Sequence, residues 1–121
     1  DVQAETTDAV LKNWDQIKRE TKRQKSDREV LESVSPAMPA LMRAQKVRKK
    51  AAKMGAALPE TEALKAQIAS SVAQADEENG AAQLGQALFD LTALAQRLGV
   101  DAEQALFEAC RAYIEGFEAE K

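Results

Sequence analysis

The chain has 121 residues, a formal net charge of −3, and a composition that is 45% hydrophobic but only 4% aromatic. Its apolar residues are mainly Ala and Leu, which are strong helix formers, so the composition favours one all-α domain. There is no histidine and one cysteine, Cys110. An internal disulfide, a His-activated nucleophile and an imidazole-based zinc site are therefore excluded.

Charge and hydropathy bear on partners and location. Residues 1–58 carry 13 Lys and Arg against 8 Asp and Glu, whereas residues 59–121 carry 4 against 12. The first part could meet phosphate, and the second could meet a metal ion or the first part. No stretch approaches the roughly 18 apolar residues that span a bilayer, and no signal-peptide pattern is present. We expect a cytoplasmic protein without a membrane partner.

Hydrophobic spacing and helix-ending residues predict five helices. Trp14 lies at helical spacing with neighbouring apolar residues, and Ser35 followed by Pro36 supplies an N-cap and a first-turn proline. Gly55 and Gly99 are placed to end helices. The five helices are predicted at about 7–24, at 35–54, at 61–75, across 84–98 and after Asp101, which forms a capping box with Gln104.

The connections between these helices predict the overall arrangement. Residues 25–34 form a polar stretch between the first two helices, and residues 76–80 form a turn. Short loops predict an antiparallel bundle of four to five helices in residues 7–121, after a lead-in at 1–6. Two apolar stripes are expected to be buried, and a modest core predicts completion by homodimerisation. The stripes are Leu84, Leu88, Leu91, Ala95 and Leu98 in the fourth helix, and Ala105, Ala109, Tyr113 and Phe117 in the fifth.

Several residue groups could carry chemistry. Arg43, Lys46, Lys50 and Lys53 share one helical face that could hold a triphosphate or nucleic acid, although a solvated face paired with acids explains it as well. The acidic cluster at 76–78 is more typical of a solvated turn than of a ligand set. Cys110 and Trp14 are both expected to pack in the core.

The fourth helix contains a feature that helix propensity does not explain. Gly85 interrupts it, at a cost of about 1 kcal/mol relative to alanine. Gln83 and Gln86 flank this glycine. Long amides contribute little to packing, so the Q-L-G-Q step calls for another explanation.

Three segments resemble the MazG-type nucleoside triphosphate pyrophosphohydrolases: NWDQIK (13–18), VLESVSPAMPALMRAQKVRKKAAKMG (30–55) and LGQALFDLTALAQRLGVDAEQAL (84–106). The resemblance implies an all-α dimer that converts a nucleoside triphosphate to a monophosphate and pyrophosphate. It also implies Mg²⁺ held by an E-x-x-E pair on one helix and an E-x-x-D pair on the next. The family's residue at Gly85 is likewise glycine, which predicts close packing against a neighbouring helix.

The resemblance places the metal-ligand positions on residues that cannot bind a cation strongly. They correspond to Ala69 and Val72 in the third helix, and to Gln83 and Gln86 in the fourth. An amide oxygen brings no charge, and Mg²⁺ is usually recruited by carboxylates. We therefore expect no metal cofactor and no catalytic residue in this copy, with Mg²⁺ required only if it is active.

These observations lead to one hypothesis with two alternatives. The chain is expected to be a degenerate MazG-type domain that dimerises or regulates, joined to an N-terminal MazG domain of the same longer chain. The first alternative is an active pyrophosphohydrolase with relocated carboxylates, for which Asp76 and Asp90 are the fallback metal ligands. The second is a module that binds without hydrolysis, with nucleoside triphosphate preferred over nucleic acid. Its candidate residues are Trp14, Lys18, Arg43, Lys46 and Lys50.

Overall fold

The computed structural model describes residues 26–119, with side chains described up to residue 117. Within this range all regular structure is helical, which confirms the all-α prediction. The described residues divide between two units that adjoin at Val34 and Ser35. The predicted first helix, with Trp14 and Lys18, and the lead-in at 1–6 lie outside the described residues.

The first unit corrects the prediction of a polar connection at residues 25–34. Residues 26–32 are helical and are labelled α1 here. Arg28 and Glu32 form an ion pair at 2.7 Å with the i, i+4 spacing that stabilises helices. Hydrophilic composition alone was therefore misleading, because charged residues at this spacing support an exposed helix.

Helix α2 spans Ala40–Lys53, so its first helical residue is four positions after Pro36, the predicted start. Ser35 does cap a turn, since its Oγ accepts a hydrogen bond from the amide of Ala37 at 3.2 Å. That turn does not continue as a helix because Pro39 disfavours the helical conformation at the residue before it. At the other end Gly55 has φ +96° and closes the helix as predicted.

Helices α3, Thr61–Gln74, and α4, Gly80–Arg97, form a hairpin and pack against each other. Leu64 on α3 and Ala87 and Ala93 on α4 are all nearly or fully buried. The connecting turn is fixed by Asp76, whose Oδ1 accepts the amides of Glu78 and Asn79, both at 2.9 Å. The predicted turn is confirmed. Gly99, with φ +70°, ends α4 as predicted.

The large apolar residues of α4 do not form the core of the described chain. Leu84, Leu88 and Leu98 are 50%, 52% and 60% exposed, so the described residues do not bury the apolar stripe that the sequence indicates. The small residues on the opposite side are buried instead. Small side chains allow the helix backbones to approach closely, which leaves the leucines facing outward.

Helix α5, Ala102–Ala119, packs on α2 and α4 through its first turns only. Asp101 accepts the amide of Gln104 at 3.2 Å, but the Gln104 side chain turns to Glu108, so the predicted capping box is half formed. Residues 109–117 are exposed, including Cys110, which was expected to be packed. None of the helices in the described range is long and apolar enough to cross a bilayer.

Candidate functional site between the third and fourth helices

An open groove of about 370 Å³ runs between α3 and α4. Its lining is polar and almost uncharged, because amides and hydroxyls dominate it. The lining residues are Gln67, Ser70, Ser71 and Gln74 from α3, and Gln83, Gln86 and Asp90 from α4. Gln83, Gln86 and Asp90 follow one another at i, i+3 and i+7, which places them on one helical face. We call this the α3/α4 groove.

Asp90 is the one carboxylate in the groove lining, and it is already engaged. The residue is 4% exposed, and its Oδ1 accepts a hydrogen bond from Arg48 Nη2 at 2.9 Å. The side chain of Gln86 donates to the same oxygen at 3.0 Å. A buried carboxylate needs such partners, since burial without them is costly. The fallback ligand Asp90 is therefore neutralised by a cation from α2.

Arg48 is held in place by three contacts. Besides the ion pair, its Nε donates to the carbonyl of Phe89 at 3.2 Å, and its guanidinium carbon lies 3.8 Å from the centre of the Phe89 ring. A cation over an aromatic face adds to the electrostatic attraction. Arg48 was not among the basic residues that the sequence pattern indicated. Arg48 does not lie on the α2 face that Arg43, Lys46 and Lys50 share. This difference in helical position is the one sequence feature that could have indicated that Arg48 faces the bundle.

The α3 residues in the groove differ from the ligand positions inferred from the sequence. Ala69 and Val72 are not part of the lining, and Val72 is 54% exposed. Helical geometry explains this difference. Leu64 fixes the side of α3 that faces α4, and residues three and seven positions further along, Gln67 and Ser71, lie on the same side. The side of α3 that lies opposite Gln83 and Gln86 is therefore the side that carries Gln67.

The groove does not fit a magnesium ion. Mg²⁺ prefers near-octahedral oxygen ligands and is bound through one or two carboxylates. Here the neutral amides and hydroxyls bring no charge, and Asp90 is paired with Arg48. Within residues 26–119 no cluster of three or more acidic or sulfur ligands could hold a metal. The other fallback ligand, Asp76, uses one carboxylate oxygen to cap its own turn.

Gly85 was expected to mark a close helix contact, and the structure contradicts this. A Cβ built on Gly85 meets no described atom within 4 Å, and the residue is exposed. The two flanking glutamines reach the groove on one side of α4, while Gly85 lies on the other. Nothing in the described structure explains the glycine.

A second cavity, of about 470 Å³, lies where α2 meets the end of α4 and the start of α5. We call it the α2/α5 cavity. Its lining consists of Met42, Gln45, Lys46, Lys49, Thr92, Gln96, Gly99, Val100 and Asp101. Of the basic residues proposed from the sequence, Lys46 lies in this lining, whereas Arg43 and Lys50 do not.

Gln45 connects the two sides of the α2/α5 cavity. Its amide nitrogen donates to Asp101 Oδ1 at 3.2 Å, and its oxygen accepts from the amide of Ala102 at 2.9 Å. The pKa of Asp101 is lowered from 3.8, chiefly by the hydrogen bond from the Gln104 amide and next by the one from Gln45. Asp101 is therefore a carboxylate at neutral pH, and α2 is tied to the start of α5.

Sequence comparison connects this helical arrangement to known proteins. The chain is 34% identical over 118 residues to the nucleoside triphosphate pyrophosphohydrolase of Escherichia coli strain K12. The same identity and length apply to the protein of that description from Escherichia coli O157:H7. No family model matches the chain. The alignment covers 90% of this chain but 45% of each relative, so the chain spans less than half of their length.

The similarity extends across nearly the whole chain and agrees with the all-helical fold. It also agrees with the segments that carried the resemblance, which include α2 and α4. Over nearly its whole length the chain is therefore similar to a part of a nucleoside triphosphate pyrophosphohydrolase, which supports the resemblance to the MazG-type family.

Proposed function

We propose that this chain is a catalytically degenerate domain of a nucleoside triphosphate pyrophosphohydrolase, acting through dimerisation or regulation rather than hydrolysis. The observation that carries the proposal is the chemistry of the α3/α4 groove. Amides and hydroxyls line it, and its carboxylate is paired with Arg48. Hydrolysis of a triphosphate by metal-activated water needs a site that concentrates negative charge around the ions. Among the described residues that line this groove, no carboxylate is left unpaired to supply that negative charge.

The rival hypothesis of an active enzyme with relocated carboxylates finds little support in the contacts. Its candidate ligands include Glu77 and Glu78 beside the fallback pair Asp76 and Asp90, and each member of that pair is engaged in structural hydrogen bonds. Recruiting Asp90 to a metal would require breaking a buried ion pair, which typically costs several kcal/mol. The geometry therefore favours the degenerate domain over the relocated site.

The proposed dimer is supported by the apolar surface of α4 and α5. Leucines of α4 are half exposed, and α5 presents large apolar side chains: Leu106, Phe107, Tyr113, Ile114 and Phe117, between 50% and 71% exposed. Exposed apolar surface on this scale marks an interaction site. A second copy is the occupant we propose, because residues 109–117 of α5 are exposed among the described residues and present large apolar side chains that need a surface to pack on.

Activity is tested directly by measuring pyrophosphate release from the four common ribonucleoside triphosphates with Mg²⁺ or Mn²⁺. We expect no turnover above the uncatalysed rate. Turnover that disappears on Asp76→Ala or on Asp90→Ala would contradict the degenerate assignment and favour the relocated site.

A restoration experiment tests the groove itself. The variant Gln67→Glu, Ser70→Glu, Gln83→Glu and Gln86→Asp places two acidic i, i+3 pairs in the groove. We expect this variant to bind Mn²⁺ in calorimetry and to melt at a higher temperature with Mn²⁺, since a ligand of the folded state stabilises it. The natural chain should show neither effect.

The matched control uses the ligand positions inferred from the sequence. It keeps the two α4 substitutions but carries Ala69→Glu and Val72→Glu on α3. Because these side chains lie outside the groove lining, we expect much weaker Mn²⁺ binding from the control. Stronger binding by the control would show that the α3 register given by the structure is wrong.

A further inference from the structure

The α2/α5 cavity carries an inference that does not depend on hydrolysis or its loss. Residues of α2, of the end of α4 and of the segment leading into α5 line this open cavity, so its walls come from more than one helix. Its volume of about 470 Å³ is within the range of small-molecule sites, roughly 300–1,000 Å³. Every lining residue belongs to the unit that begins at Ser35.

The charges in the cavity favour an anion. Lys46 and Lys49 both line it, and neither forms an ion pair with an acid among the described residues. The carboxylate in the lining, Asp101, is held by Gln45 and by the amide of Gln104. Two lysines against one carboxylate leave a net positive charge. The α3/α4 groove offers no lysine, so the two sites differ in the ligands they attract.

The remaining lining is suited to a ligand larger than a simple ion. Met42 and Val100 contribute apolar side chains to the lining, and both residues are more than a third exposed. Gln96 adds an amide that can hydrogen-bond a polar group. A few polar groups in a partly apolar cleft are typical of sites for organic ligands.

We propose that the α2/α5 cavity binds a nucleotide-sized phosphate ester, with the phosphate held by Lys46 and Lys49. Lysine binds phosphate as a point charge and does not require a fixed fork geometry. The apolar surface of Met42 and Val100 contacts the organic part of the ligand. This site is separate from the α3/α4 groove and needs no metal ion.

The test is calorimetric titration of the intact chain, without divalent metal, with AMP, ribose 5-phosphate, inorganic phosphate and adenosine. We expect AMP to bind and adenosine not to bind measurably. The variant Lys46→Gln with Lys49→Gln should weaken AMP binding at least about tenfold, because it removes two charge-assisted contacts. Higher salt should weaken binding to the natural chain.

The matched control is Lys50→Gln with Lys53→Gln, which removes the same charge from the same helix at residues outside the cavity lining. We expect its affinity for AMP to stay within about twofold of the natural chain, given the screening of distant charges. Val100→Trp, which fills the cavity from an exposed loop position, should also abolish binding. Circular dichroism confirms that each variant is folded.

Three results would overturn the proposal: no binding of AMP at millimolar concentration, equal weakening by the two lysine pairs, or binding that survives Val100→Trp in a folded protein. Inorganic phosphate binding as tightly as AMP would also contradict it, since the apolar walls would then contribute nothing. None of these results would contradict the proposal that the α3/α4 groove is degenerate. That proposal is tested separately, by Mn²⁺ binding to variants of other residues.

Discussion

Asp90 illustrates how a single residue acquires its role from a partner that is distant in sequence. It lies one turn beyond Gln86, and the sequence allowed it to be a metal ligand. The structure instead gives it Arg48, 42 residues earlier in the chain, at 2.9 Å. Both side chains are largely buried, 15% and 6% exposed. The pair therefore fixes α2 against α4 and removes the carboxylate from metal chemistry.

Replacing Arg48 by methionine should destabilise the chain strongly. The substitution leaves Asp90 buried without its cation, and breaking a buried pair in this way costs about 3 kcal/mol. The free energy of unfolding from urea titration provides the measurement.

Lys65→Met is the control for this prediction. It breaks the Lys65–Glu62 pair, whose two side chains are 55% and 87% exposed, and should cost less than about 0.5 kcal/mol. Equal losses in the two variants would show that Arg48 and Asp90 are not buried as a pair.

Asp101 should make the start of α5 sensitive to acid. Its folded-state pKa is lowered from 3.8 by the Gln104 amide and Gln45. Its contribution to stability is therefore fully present above the unfolded-state pKa and is lost as the pH falls through the lower, folded-state value. The Gln104 amide resonance should titrate with a midpoint below 3.8, and Asp101→Asn should remove this titration. A midpoint above 3.8 would contradict the capping geometry.

At the scale of elements, the glycines show which structural features the sequence predicts correctly and which it does not. Gly55 and Gly99 both end helices in the left-handed conformation, as their positions predicted. Gly85 had suggested close packing, yet open space surrounds it. A helix-ending glycine is a local backbone requirement, whereas contact at a mid-helix glycine depends on which face meets a neighbour.

Substituting these glycines by alanine should have opposite effects. Gly85→Ala should stabilise the chain by about 0.5–1 kcal/mol, because alanine is the better helix former and the added Cβ meets no described atom. Gly99→Ala should destabilise it by about 1 kcal/mol, since alanine disfavours a φ of +70°. Thermal melts of the two variants measure the difference. Loss of stability in Gly85→Ala would mean that something outside residues 26–119 packs against that face.

At the scale of the whole molecule, the distribution of apolar surface is the dominant feature. Ala87 and Ala93 of α4 are buried and Leu84, Leu88 and Leu91 are about half exposed, while residues 109–117 of α5 are all exposed. The apolar stripes identified in the sequence exist as helical faces, but no other part of the described chain covers them. The sequence-based expectation that a second copy completes the core remains a prediction.

Leu88→Glu should disrupt the proposed dimer. Burial of a leucine contributes about 1.5 kcal/mol or more, so loss at two symmetric copies weakens association roughly 100-fold. Sedimentation equilibrium measures the dissociation constant. Val72→Glu, at a residue of similar exposure on α3, is the control and should leave association unchanged. A natural chain that is monomeric at high micromolar concentration would contradict the dimer.

The sequence by itself determined the helical class, the ends of α2 and α4, the turn before α4 and the resemblance to the MazG-type family. These depend on local propensities, on helix-ending residues and on a pattern shared with relatives. It also indicated that Gln83 and Gln86 stand where acids are expected. It did not predict the helical segment at 26–32, the start of α2 or the inward side of α3.

Only the tertiary structure decided which residues share a site. It brought Gln67 and Ser70 opposite the α4 glutamines, paired Arg48 with Asp90, and gathered Lys46 and Lys49 into a cavity with the start of α5. The physical reason is that helical periodicity defines faces but does not say which face meets which neighbour. The tertiary structure makes that choice: on α4 it buries the small residues Ala87 and Ala93 and leaves large residues such as Leu84 and Leu88 half exposed.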